Sequence, residues 1–152
     1  MNKEDFYHDF LMLREMRSPV KKRCRMLGEL LAEYEDAWRV IGITEKALAV
    51  FAEHDFKRVS RMGINRSHLV DRHKTYTTML EGPLMECEEW WEFYIENDKT
   101  ILATSAENMS NGFSKIHEID STLGLFKMQG FAWKHKKPEI AFLKETVQQF
   151  SS

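Results

Sequence analysis

Val20, Cys24, Leu27, Leu31, Tyr34 and Trp38 follow one another at spacings of 4, 3, 4, 3 and 4. Only a helix of about 3.6 residues per turn brings such a series onto one face. The spacing therefore predicts a long amphipathic helix, ended by Gly42. Ser18-Pro19 stands at its head: a serine N-cap accepts orphan amide protons, and a proline in the first turn has no amide to leave unpaired. Upstream, Phe6, Phe10 and Leu13 mark a first helix that Pro19 closes. Downstream, Thr44 reads as the N-cap of a short helix carrying Leu48 and Phe51, and Asp55 as the cap of another over 56–62 that stops at Gly63. Asn65 then caps a helix with Leu69, His73, Tyr76 and Leu80, ended by Glu81-Gly82-Pro83.

The second half mixes two periods. Leu84, Cys87, Trp91 and Tyr94 fit a helix, while Trp91, Phe93 and Ile95 fit a strand; the helix is the preferred reading. Asn97-Asp98 is a turn, 99–104 a strand, 108–112 a loop and 115–119 a strand. Residues 125–127 and 131–134 form a hairpin through Gln129-Gly130, and helical spacing returns after Pro138 with Ile140, Leu143, Val147 and Phe150. The expected fold class is α+β: a helical N-terminal layer of about five helices to residue 80, packed on a small antiparallel sheet and closed by a C-terminal helix. With 152 residues and no linker composition, 1–152 is expected to form a single domain.

Several classes lose support at once. No apolar run approaches the roughly 18 residues of a membrane span, and the opening Met-Asn-Lys-Glu-Asp has no signal-peptide character, so no membrane partner and a cytoplasmic location are expected. Cys24 and Cys87 stand alone, which suits reduced thiols rather than a disulfide framework or a zinc site. The six histidines show no metal-ligand spacing, and no Gly-rich phosphate loop or nucleophile elbow occurs. No cofactor is expected on these grounds.

Charge is the informative feature. The net value of −2 conceals segments of opposite sign. Residues 14–25 hold Arg14, Arg17, Lys21, Lys22, Arg23 and Arg25 against one acid; 57–74 hold Lys57, Arg58, Arg61, Arg66, Arg72 and Lys74 against one acid. Between Glu81 and Asp98 stand seven acids and no base. Two basic clusters of this density point to phosphates, and duplex DNA is the expected partner.

The segment from Phe56 to Tyr76, with Met62-Gly63-Ile64-Asn65-Arg66 at its centre, resembles the DNA-binding helix-turn-helix of the Fis-type family. The resemblance implies a tight turn at Gly63 and a recognition helix led by Arg66, Ser67 and His68. Arg66 would then read a base edge, with Arg61 and Arg72 beside it and Lys57, Arg58 and Lys74 on phosphates. A second reading uses the same histidine. Arg66 to Arg72, followed by Asn97 to Asn108, resembles a divergent HNH endonuclease. That resemblance implies a strand bearing His68 as general base, Thr100 in an orienting position, and Asn108 as ligand to Mg²⁺ or Mn²⁺. A third reading makes the chain a phage-type regulator or inhibitor, whose acidic 81–98 segment meets a protein partner through Trp90 and Trp91.

Overall fold

The computed structural model describes residues 1–59, 61–110, 112–129 and 132–151, with backbone alone at 129, 132, 150 and 151. In chain order the elements are α1 (Lys3–Glu15), α2 (Val20–Leu31), β1 (Arg39–Thr44), α3 (Glu45–Glu53), β2 (Ile64–His68), α4 (Arg72–Glu81), α5 (Cys87–Asn97), β3 (Lys99–Thr104), α6 (Ser105–Ser110), β4 (Ile116–Glu118), β5 (Met128–Gln129), β6 (Ala132–Trp133) and α7 (Lys137–Ser151). They gather into two compact units, Met1–Ala37 with His68–Lys99, and Trp38–Ser67 with Thr100–Ser152. The α+β class and the closing helix are as the sequence predicts.

The first unit is helical. Asn2 and Asp5 form a capping box at the head of α1, each side chain accepting from the other's backbone amide. Phe6, Phe10 and Leu13 of α1 meet Cys24, Leu27 and Leu31 of α2, Tyr76, Met79 and Leu80 of α4, and Trp90 and Tyr94 of α5 in one core. The Trp90 ring stacks on Phe10 at 4.8 Å and leans on Tyr7 at 5.4 Å. Helix α2 packs on α1 and α4, and α5 also packs on α1 and α4. Helices α2 and α5 therefore stand at opposite corners of the four, joined at one end where Tyr34 meets Trp91 and Tyr94.

The second unit is built on a mixed sheet in the order β2-β3-β1-β4. Strand β1 runs antiparallel to β4, with Gly42 opposite Glu118 and Ile43 opposite His117. Its core joins Val40, Ile43, Ala47, Leu48, Phe51, Ile64, Leu102, Ile119, Phe126, Trp133 and Leu143. Thr44 caps α3 as expected, its hydroxyl accepting from the Ala47 amide. Near the start of α6 the Glu107 carboxylate is buried and accepts from the Thr44 hydroxyl, from the amide and hydroxyl of Thr104, and from the amide and hydroxyl of Ser114.

The structure differs from the sequence pattern at several places. The second helix ends at Leu31 rather than at Gly42: Trp38 takes φ 59°, and the chain enters β1. Gly42 lies inside that strand because a Cβ there would come within 2.7 Å of Ile116 Cγ2. Ser18 is not the cap of α2; Pro19 holds that position, and no side chain caps the helix. In place of the helices predicted over 56–62 and from Asn65, residues 57–59 and 61–63 are irregular and Ile64–His68 is β2. Positive φ at Asp55, Phe56, Arg61 and Gly63 turns the chain, and Ile64, Asn65 and Ser67 are weak helix formers. Helix α4 starts only at Arg72, capped by the Asp71 side chain. The predicted loop at 108 is part of α6. Among the described residues four helices, not about five, lie up to Glu81, and the four-stranded sheet is mixed rather than antiparallel. The hairpin is present as β5 paired with β6, while Gly130 and Phe131 lie outside the described residues.

Burial alone would raise the Glu107 pKa, but its hydrogen bonds outweigh that and hold it at about 2, below the ordinary 4.5. The carboxylate thus stabilises the fold above pH 4.5, and that contribution is lost as pH falls towards 2. Glu107→Gln is expected to remove about 3 kcal/mol at pH 7, and to flatten the acid limb of a urea-midpoint profile against pH.

Candidate nucleic-acid interface

Of the residues predicted to lead the recognition helix, Arg66 and His68 are half-buried and Ser67 is buried. Arg66 lies on β2, half-buried, with its guanidinium 5.0 Å from the Trp38 ring and Nη1 donating to the Trp38 carbonyl at 3.4 Å. Thr100 Oγ1 donates to the carbonyls of Trp38 and Arg39 at 3.1 and 3.0 Å, so Arg66 helps hold the kink that opens β1. Ser67 is buried. The paired helices that the helix-turn-helix resemblance implies are absent from 57–59 and 64–68, and Leu69, expected in the core, is 44% exposed.

His68 ends β2, on a strand as the nuclease resemblance implies. Its side chain is 7% exposed, and Nε2 lies 2.8 Å from Asp98 Oδ1, itself on a side chain 6% exposed. Tyr94 donates to the other Asp98 oxygen at 3.0 Å. Burial raises the pKa of both neighbouring phenols, with the Asp98 charge adding to it; Tyr76 is pushed up to about 12 and Tyr94 higher. The imidazole is thus enclosed against a carboxylate inside the first unit. Asn108 sits exposed on α6 of the second unit. Among the described residues no three His, Cys, Asp or Glu side chains form a group that could hold a metal ion.

The acidic segment is a helix face. Trp90 is fully buried and Trp91 half-buried, stacked on Phe6 at 5.7 Å. Burial removes Trp90 as an anchor, while Trp91 stays partly exposed. Glu88, Glu89, Glu92 and Glu96 form one exposed stripe on α5, with Glu88 paired to Lys3 and Glu96 to Lys99.

The basic residues divide between the units. Arg72 and Lys74 are exposed on α4 in the first, which carries ten bases against sixteen acids, a net −6. Lys57, Arg58 and Arg61 are exposed in the second, which carries twelve against eight, a net +4. There the chain makes a cluster that no local motif announces. The Arg58 guanidinium lies 4.8 Å from the Trp133 ring, and its Nη1 donates to the Trp133 carbonyl at 3.2 Å. His135 Nε2 meets the Phe56 carbonyl at 2.7 Å, and its ring stacks on Phe51. Lys144 of α7 reaches to 6.0 Å from the Phe56 ring. These contacts gather Lys57 and Arg58 with Lys134, Lys136, Lys137 and Lys144, all exposed and, among the described residues, none in an ion pair with an acid. Glu139 is buried, with Oε1 accepting from the Lys136 amide.

No family model, curated protein or solved structure matches this chain. The charges and contacts of its own residues must therefore carry any functional reading.

Lys57 and Arg58 fall in a basic window of the sequence, whereas the lysines of 134–144 that the fold sets beside them lie some 75 residues away along the chain. The alternation of Trp133 and His135 with Lys134 and Lys136 is the signal that could have found them, since basic stretches interleaved with aromatics suit nucleic acid. His68→Ala is expected to destabilise the protein by about 3 kcal/mol, because Asp98 would keep its buried charge without the imidazole. Urea unfolding alongside a DNA-binding titration checks this: a lower midpoint with unchanged affinity is expected, and lost affinity at unchanged stability would return His68 to the interface.

Proposed function

We propose that this chain is a nucleic-acid-binding protein that grips the phosphates of duplex DNA through Lys57, Arg58, Lys134, Lys136, Lys137 and Lys144. One observation carries the reading: the Arg58–Trp133 and His135–Phe56 contacts bring six exposed bases, none in an ion pair among the described residues, from two distant segments onto one compact unit of net positive charge. Lysines are point charges on flexible stems, and a group of them neutralises a phosphate row without demanding a base sequence. Arg58 is already engaged by Trp133, so it presents a fixed edge of its guanidinium rather than a free fork. Arg66, committed to Trp38, has no part in reading bases on this account. Recognition is therefore of backbone more than of sequence.

The Lys57→Ala, Lys136→Ala, Lys137→Ala triple variant tests the reading. Each phosphate contact removed lowers the slope of log affinity against log salt by about 0.9, so the triple variant is expected to lose a slope of about 2 to 3, equally on unrelated duplex sequences. Wild-type protein that forms no complex with any duplex at low salt would contradict the proposal. So would a triple variant with an unchanged slope.

A further inference from the structure

The first unit carries a second charge pattern that the DNA reading does not use. Of the six bases in 14–25, two are spent inside the unit. Arg14 donates from Nη1 to the Met79 carbonyl and from Nη2 to the Gly82 carbonyl, each at 2.7 Å. Arg23 is buried, with Nε on the Ser18 carbonyl at 2.8 Å and Nη2 on Glu81. The other four, Arg17, Lys21, Lys22 and Arg25, are exposed at the head of α2, and among the described residues none lies in an ion pair with an acid. That end of the helix has no acid in its first turn and no side-chain cap. Bases are unfavourable there, because the helix dipole is positive at its N-terminus.

At the opposite corner, α5 presents the reverse. Its inward face is fixed by Trp90 and Tyr94, which leaves Glu88, Glu89, Glu92 and Glu96 on a single outward stripe about 12 Å long. Among the described residues Glu89 and Glu92 lie in no ion pair with a base. Two exposed helix faces of opposite sign thus sit on opposite corners of one four-helix core, and two of the four acids on α5 are already paired within the unit.

We propose that copies of this chain associate head to tail, with the acidic stripe of α5 in one copy docking against the basic head of α2 in the next. The occupant is a second copy because each copy carries both complementary faces. A long polyanion suits the α2 corner less well, since the unit around it totals −6, whereas a short acidic helix meets only the corner itself. A contact between different faces is heterologous and does not close on itself in pairs, so it builds chains or rings. Such association would line copies up along DNA. That consequence rests on the DNA reading, while the association does not.

Two variants test it. Lys21→Glu with Lys22→Glu removes the basic face and puts acids where the helix dipole favours them, so α2 stays folded. Glu89→Lys with Glu92→Lys removes the acidic face on exposed positions. In sedimentation equilibrium at about 20 mM salt, where charges act over more than 20 Å, the wild type is expected to grow in mass with concentration and to fall back to 18.0 kDa at about 1 M salt. Each variant alone is expected to stay monomeric, and an equimolar mixture to associate, because the unaltered acidic stripe of one variant meets the unaltered basic head of the other. A monomeric wild type at low salt would overturn the proposal, as would either variant assembling alone or a mixture that stays monomeric. DNA binding by both variants is expected to persist, so failure here is separable from failure of the DNA reading.

Discussion

The rotation of α5 about its own axis decides the character of the first unit. Trp90 stacks on Phe10 and Tyr94 reaches Asp98, and with both turned inward Glu88, Glu89, Glu92 and Glu96 face out. An aromatic ring of this size buries on the order of 200 Å² and finds no comparable site on another face of the helix. The acidic stripe therefore follows from the packing of one tryptophan. Helix α2 obeys the same logic with smaller residues: Cys24, Leu27 and Leu31 face the core, Arg23 follows them inward to Glu81, and Lys21, Lys22 and Arg25 are left outside.

The second unit achieves its polarity differently. Four of the clustered bases come from segments with little regular structure and Lys137 and Lys144 from α7, brought together by a few specific contacts at Arg58, Trp133, His135 and Phe56. Each contact is worth little alone; a cation over an exposed-side aromatic contributes about 0.5–1 kcal/mol. Their joint effect is positional. Buried Glu107 anchors the same unit elsewhere, tying the end of β1 to α6 and to Ser114. The two units so carry opposite net charge, which the whole-chain value of −2 hides.

Much of the fold was legible because it is local. Phe6, Phe10 and Leu13, the Thr44 cap, and the apolar run of Lys99–Thr104 each specify an element from within one short window, and the structure has them where the spacing puts them. The errors fall where a distant residue decides. Tyr34 and Trp38 continue the helical spacing of α2, yet Trp38 turns to φ 59° because Thr100 and Arg66 hold its carbonyl. Gly42 looks like a helix stop but serves a close approach by Ile116. Leu69 belongs to the helical series Leu69, His73, Tyr76 and Leu80, although only the last two are buried. The candidate interface was half legible for the same reason: Lys57 and Arg58 stand out in a window of charge, whereas their junction with Trp133 is tertiary.

The central claim is that phosphates lie against the second unit's lysines, and amide chemical-shift mapping tests it most directly. A short duplex of arbitrary sequence is titrated at low salt into uniformly ¹⁵N-labelled protein. The account predicts shifts centred on Lys57, Arg58, Lys134, Lys136, Lys137 and Lys144, with α2 and α5 unmoved. Shifts centred instead on Arg17, Lys21, Lys22 and Arg25, or no shifts at all, would contradict it.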